Sequence, residues 1–369
     1  MPSTDAMRPN AAPSGAPAPR SGDVVVTGTG MVSPVGSDAD QTFTSVRAGL
    51  RRMAERADLY ACLAESPELD PPKPVVASAV EHLDPRARAE GRPAEWLGTL
   101  AGRAFADLDR RARLADVDPA RLAVLLALPA RPGVGPEARS ELLYHFHNHA
   151  ERDLLPHLQL SFGGSATSLA LLEQAAALVR ERKFAAVAVG AVDSWLFRPW
   201  LSAADEGWRL LSERNVDGFQ PGEAAAFLAV EARGDAERRG IAPLATLRGF
   251  AAGRFEVAKG LPNTGAELAS VLERVLPATP PLVVCDLNGE SWRAKEWAFA
   301  ISRLGRRLGA DLALEHPASS LGDVGAATGA TLAALAVQYL KSKHADRPGA
   351  VVWAASEDGE RRAALLERA

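Results

Sequence analysis

Apolar positions along this chain alternate between two periods. Continuous apolar runs at Val24–Val26, Leu122–Leu128, Phe184–Gly190, Pro281–Cys285 and Ala350–Ala354, each bounded by glycine, proline or charge, predict buried strands. Between them, Trp96, Leu97, Leu100, Phe105 and Leu108 recur near one face of a segment from Pro93 to Leu114, which predicts an amphipathic helix. Buried strands alternating with helices make this an α/β chain.

The pattern also has an internal rhythm. A strand into Gly28 and Gly30 is followed by Asp38 or Asp40, either placed to cap a helix through Phe43 to Leu50. Arg51 to Arg92 mixes charge with prolines and keeps no period, so irregular structure with short helices is expected. Val216 to Glu231 reads as a glycine turn leading into the last strand of a first half, and Ala232 to Ala242 as a charged linker. The second half repeats the plan: Pro281–Cys285 ends in Asp286-Leu287-Asn288-Gly289 much as Val24–Val26 ends in glycines, and Ala350–Ala354 answers Phe184–Gly190. The expected organisation is a disordered Pro/Ala-rich tail over 1–22, one half over 23–234 and another over 243–369.

One stretch stands out as a bearer of chemistry. Leu158 to Leu172, with an apolar-periodic run on to Val179, reads as a short strand, a turn at Gly163-Gly164 and a helix whose first turn carries small hydroxyl residues. Ser165 then sits at a helix N-terminus, where unpaired N–H groups and the macrodipole favour a developing anion, a setting suited to acyl chemistry. Taken alone, a serine there is expected to be an ordinary helix cap. Gly28 and Gly30 raise the thought of a phosphate loop, but the third glycine is not at the right offset, and Pro34 with Gly36 fits a tight turn better. On a helix over Glu137 to Glu151, His145 and His149 share a face, half of many metal sites. No acidic or cysteine partner is evident nearby, so a partly buried polar face is expected and no metal.

Composition narrows the function classes. With 369 residues, 47% of them hydrophobic, the chain can bury a large core, and a formal charge of -4 without a basic block argues against nucleic acid as a partner. Only two cysteines, Cys62 and Cys285, lie far apart, which fits a reducing compartment, with the cytoplasm as the expectation. No apolar run approaches the roughly 20 residues that span a bilayer.

Four segments in order now carry a resemblance: Val24 to Gly36, the elbow at Gly163 to Leu169, Asp217-Gly218-Phe219 through Gly222-Glu223-Ala224, and Gly322-Asp323-Val324-Gly325-Ala326-Ala327-Thr328-Gly329-Ala330. Together they resemble the β-ketoacyl synthases of the thiolase superfamily and span nearly the whole chain. The resemblance implies a duplicated, five-layered αβαβα fold, a tight two-fold dimer and acyl chains carried on a phosphopantetheine arm, with no separate cofactor. It also locates the site. The family's nucleophilic cysteine corresponds to Ser165, its first catalytic histidine to Asn288, its lysine to Ala318 and its second histidine to Asp323. The glycine-rich gatekeeper is replaced by Ala354-Ala355-Ser356-Glu357-Asp358-Gly359.

These departures have a chemical cost. A serine hydroxyl needs an adjacent general base, and Asn288 cannot accept a proton at neutral pH. Condensation also needs donors for a developing enolate, and an ionised Asp323 repels that charge. His316, seven residues before Asp323, is a candidate replacement base, or else a structural histidine at a strand end. Cys285, inside an apolar run, is expected to be a buried, inert thiol. The expected function is therefore a ketosynthase-like subunit or adaptor that does not condense. Its partners would be a second copy or a ketosynthase-like protein, an acyl-carrier protein, or a secretion effector. The alternative is an active acyltransferase or esterase using Ser165.

Overall fold

In the first half the apolar runs fold as β1 (Val24–Val32), β4 (Leu122–Pro129), β5 (His157–Gly163), β6 (Ala186–Ser194) and β7 (Glu223–Ala232). Between them lie α1 (Ala39–Arg47), the hairpin β2 (Met53–Ala61) and β3 (Lys73–Ser78), α2 (Arg86–Ala89), α3 (Pro93–Ala112), α4 (Arg139–Ala150), α5 (Thr167–Arg180) and α6 (Arg198–Glu206). After α7 (Arg233–Arg238), the second half runs β8 (Ala245–Arg254), α8 (Ala266–Val275), β9 (Leu282–Cys285), α9 (Ser291–Leu304), β10 (Ala313–Glu315), α10 (Ala318–Leu321), α11 (Thr328–Lys341), β11 (Gly349–Ala355) and β12 (Glu360–Arg368). The computed structural model describes residues 20–61, 73–152, 156–213, 215–256, 262–309, 311–343 and 345–369. Most of the 1–22 tail, and Cys62, lie outside them.

The strand order β10-β9-β11-β12-β8-β1-β7-β6-β4-β5 reads as the same five-strand arrangement written twice, head to head. β4 pairs in parallel with β5 and β6, and β7 runs antiparallel to β6 and β1. Likewise β9 pairs in parallel with β10 and β11, and β12 runs antiparallel to β11 and β8. The two halves join through a short β1–β8 pairing, Val25 with Thr246 and Val26 with Ala245. By position, β11 is the counterpart of β6, as the repeat in sequence suggests. The counterpart of β9 is β4, however, and that of β1 is β8, so matching Pro281–Cys285 to Val24–Val26 pairs the wrong strands.

Three apolar clusters define the layers. The first half packs α3 and α4 on its outer face, with Trp96, Leu97, Leu100, Phe105 and Phe146 fully buried against β4, β6 and β7. Full burial of each such leucine is worth roughly 1.5–3 kcal/mol. The second half packs α8 and α9 outside β9, β11 and β12. Between the halves lie α5 and α11, touching strands of both and sharing one core with Val187, Leu228, Val284 and Val352. Helices, sheet, helices, sheet, helices give the αβαβα order.

Two local expectations are corrected. The stretch over 51–92 holds an antiparallel hairpin, β2 with β3, in which Leu59, Val75 and Ala77 face inward. Glu55 and Asp58 are exposed, and Arg56, paired across the strands with Val75, interrupts the inward face and hides that alternation in sequence. The segment after Ala232 is no plain linker but carries α7, whose Ala236 packs with Val25 and Ile241. Gly28 and Gly30 serve packing and not phosphate: a Cβ on Gly28 would lie 2.8 Å from that of Ala112, and one on Gly30 would overlap the backbone of Ala104 and Leu108 where α3 crosses β1.

Candidate functional site

The elbow forms where β5 turns at Gly163–Ala166 into α5. Ser165 lies in this turn, nearly buried, and its carbonyl accepts from the Gly329 N–H at 3.1 Å, which ties the elbow to α11 of the other half. Its hydroxyl has no hydrogen bond among the described residues, so the capping expected of it does not occur. The capping falls to another residue. Ser356 Oγ, from the loop between β11 and β12, accepts from the Ala166 N–H at 2.9 Å. A Cβ on Gly164 would lie 2.8 Å from that oxygen, so a glycine is needed for the approach.

Asn288 and Asp323 are brought together. Asn288 follows the C-terminal end of β9, and Asp323 follows Gly322, whose φ of +74° turns the chain out of α10. The Asp323 backbone is clamped to the turn before β7, its N–H donating to Gln220 at 2.7 Å and its carbonyl accepting from Gly222 at 2.9 Å. Asn288 Nδ2 donates to Asp323 Oδ2 at 2.6 Å and to Glu290 Oε2 at 2.9 Å, which uses both amide hydrogens. Asp323 Oδ1 accepts from Trp195 Nε1 at 2.9 Å and from the Gly325 N–H at 2.7 Å. Burial pushes the Asp323 carboxyl up, but the charge of Arg293 and these hydrogen bonds outweigh it and hold the group below the ordinary carboxylate value. It is held as an anion that accepts three hydrogen bonds.

The network extends outward in alternating charge. Arg209 grips Glu290 with two bonds, at 2.8 and 3.1 Å, and reaches Glu357 at 2.5 Å. Buried Arg293 pairs with Asp286 and donates to the Ala355 carbonyl at 2.7 Å. Burial raises Asp286 to about 6, against the opposing pull of Arg293. On the other flank, Asp193 accepts from Arg131 Nη1, the Ser194 N–H and the Ala326 N–H, each at 2.7 Å, and the Arg131 guanidinium stacks 3.5 Å from the Trp195 ring centroid. Sequence reasoning passes over Arg131, Asp193, Arg209, Glu290 and Arg293. A signal exists for some: Asp193 closes an apolar strand and Glu223 opens one, and a charge in such a place requires a partner. Glu223 has four, Val80 N–H, Trp96 Nε1, Ser194 Oγ and Arg88.

His316 and Cys285 sit in different settings. His316 is exposed after β10, with its carbonyl accepting from Ser319, and no hydrogen bond connects it to Ser165 among the described residues. Cys285 is fully buried, and burial pushes its thiol far up, so it is not a nucleophile at neutral pH. The face of α4 does meet acid: α3 brings Glu95 to 3.7 Å from His145 Nε2, and Glu141 stands one turn before His145. The expectation that no acidic partner is near is thus corrected: Glu141 precedes His145 by one turn on the same helix, and tertiary packing adds Glu95.

Space at the site is scarce. A cavity of about 20 Å³, lined by Asn288, Ala318, Asp323 and Thr328, has room for about one water. A groove of about 730 Å³ lies elsewhere, lined by Leu59, Pro132, Leu196, Phe197, Arg198 and Trp200, and Ser165, Asn288 and Asp323 take no part in it. No helix among the described residues is long and apolar enough to cross a membrane.

No protein-family model matches the sequence, and neither does any curated protein. Solved structures do match. A type II polyketide synthase acyl-carrier protein in complex with its ketosynthase aligns with a TM-score of 0.71 at 16% identity, over 94% of this chain and 99% of that one. The ishigamide ketosynthase/chain length factor aligns with a TM-score of 0.68 at 21% identity, over 94% and 99%. The oxazolomycin ketosynthase domain of Streptomyces albus aligns with a TM-score of 0.70 at 16% identity, over 94% of this chain and 75% of that one. With its twice-written five-strand halves and shared central helices, the chain has the thiolase-like fold of the ketosynthases.

Proposed function

We propose that this protein is a ketosynthase-like subunit that does not catalyse condensation and works by pairing with an active ketosynthase in polyketide or fatty-acid assembly. The observation that carries this reading is the direct Asn288–Asp323 hydrogen bond. At the two positions that the resemblance gives to imidazole donors stand an amide whose hydrogens are both engaged and a carboxylate held as an anion. Neither offers a proton to an enolate, and the charge of Asp323 opposes one. At the elbow, the Ala166 N–H is taken by Ser356 Oγ and is not free for an oxyanion, which fits this reading.

Pairing is supported by the fold's edge. β5 ends the ten-strand sheet with a free side and a half-exposed face on which Phe162 is 38% exposed, and an open edge of this kind calls for a partner strand. One of the similar structures is described as a ketosynthase/chain length factor and another as a ketosynthase with its acyl-carrier protein, which makes a ketosynthase-like partner the first choice and a carrier protein the second. A second copy of this chain or a secretion effector are the other occupants to test. Co-expression with ketosynthases encoded beside this chain, followed by sedimentation, tests the reading. A stable heterodimer with restored condensation supports it, and a monomer that none of them engages argues against it.

The second reading, an acyltransferase or esterase using Ser165, has one observation in its favour: the Ser165 hydroxyl is not consumed by a hydrogen bond among the described residues. The test is a covalent adduct on the Ser165 peptide after incubation with acyl thioesters or an activated-serine probe.

A further inference from the structure

We propose that Glu95, Glu141 and His145 form a binding site for a divalent transition-metal ion of the zinc class, bridging α3 and α4 on the outer face of the first half. The three side chains place one ligand atom each within 4.8 Å of the others. His145 Nε2 and Glu95 Oε2 are already 3.7 Å apart. Bonds of about 2.1 Å to a tetrahedral ion put ligand atoms roughly 3.4 Å from one another, so a modest rotation of the exposed Glu141 completes the set. The fourth position faces solvent and takes water.

The backbone explains why these groups meet. A Cβ on Gly98 would lie 2.9 Å from the His145 Cβ, and one on Gly102 would lie 2.7 Å from that of His149. Two glycines one helical turn apart thus let α4 settle closely on α3. Glu95, one turn before Gly98, then meets His145, and Glu141 joins from the preceding turn of α4. One imidazole with two carboxylates is a set of intermediate softness that suits Zn²⁺ or Co²⁺ better than Mg²⁺ or Ca²⁺. Arg92 pairs with Glu95, so the guanidinium is displaced as the ion binds.

The test uses the full chain, free of any affinity tag and stripped with chelator, titrated with ZnCl₂ by calorimetry and with CoCl₂ by visible absorption. One equivalent of Zn²⁺ is expected to bind, Co²⁺ is expected to give ligand-field bands, and Zn²⁺ is expected to raise the melting temperature because only the folded state holds the site. His145→Ala and Glu95→Gln should each weaken binding at least about tenfold, since loss even of a group that merely orients a ligand costs that much. His157→Ala, a histidine on β5, should leave binding unchanged. Both ligand variants alter partly exposed side chains, and circular dichroism of the metal-free forms checks that they fold. Absence of saturable binding by either ion, or binding that survives both substitutions, overturns the proposal.

Discussion

Asn288 and Asp323, which lie 35 residues apart in sequence, hydrogen-bond amide to carboxylate at 2.6 Å, and Asp323 receives two further donors, Trp195 Nε1 and the Gly325 N–H. Asn288→Ala removes one donor from a buried anion, at a cost of about 1–3 kcal/mol. Asp323→Ala leaves the Trp195 indole, the Asn288 amide and the Gly325 N–H without their shared acceptor and should cost more, about 3–5 kcal/mol, since each buried donor left unpaired costs roughly 1–3 kcal/mol. Urea denaturation of the two variants checks the order. Equal, small effects would mean that the pair is not a structural unit.

The elbow makes a second, sharper prediction. Since Ser356 and not Ser165 engages the start of α5, Ser356→Ala should cost about 1 kcal/mol, as loss of a helix cap does. Ser165→Ala should stay within about 0.5 kcal/mol of the parent. Melting curves of the two variants, side by side, read the difference directly, and the reverse ranking would contradict the assigned contact.

Packing at β1 is testable through Gly30. A methyl group there overlaps the backbone of α3 at Ala104 and Leu108, and neither can give way without moving the helix from the sheet. Gly30→Ala is expected to lose about 1–3 kcal/mol in denaturation, the usual range for overpacking. A neutral substitution would reopen the ligand-loop reading of these glycines.

Acid dependence follows from Asp286, which titrates near 6 in the fold against an ordinary value of 3.8. A raised folded-state pKa means that the native protein binds the proton more readily. The contribution is fully present below about pH 4 and is lost as pH rises to about 6. Asp323, held below 3.8, has the opposite sign: its contribution is present above that value and is lost as pH falls through the folded pKa. The stability difference between the parent and Asp286→Asn should therefore shrink from pH 4 to about 6.5 and then level off. A difference that stays constant across this window would show that Asp286 is not perturbed.

Much of the fold is legible in the chain because strands buried on both faces, such as Val124 to Leu128 and Val187 to Val189, need continuous apolar runs, and nothing else explains them. The hairpin β2–β3 is not legible, since only part of one face is buried and Arg56 stands within that face opposite Val75. Ser165, Asn288 and Asp323 can be picked out by resemblance, but their partners cannot. Trp195, Arg209, Glu290 and Arg293 come from loops and helix starts dispersed over about a hundred residues, and no local period marks a residue whose role is to neutralise a distant charge. The cap on α5 is hidden for the same reason: Ser356 reaches Ala166 across 190 residues. Glu95 and His145 meet only because two glycines let their helices close.

Whether the isolated chain condenses is read by an assay with acyl and malonyl thioesters of an acyl-carrier protein, followed by mass spectrometry of both product and protein, in parallel with Ser165→Ala and Ser165→Cys. No β-ketoacyl product is expected from any of the three, including the cysteine variant, because Asn288 has both amide hydrogens engaged and Asp323 is held as an anion, so neither offers a proton to an enolate whatever the nucleophile. A β-ketoacyl product from the parent chain that disappears in Ser165→Ala would contradict that expectation.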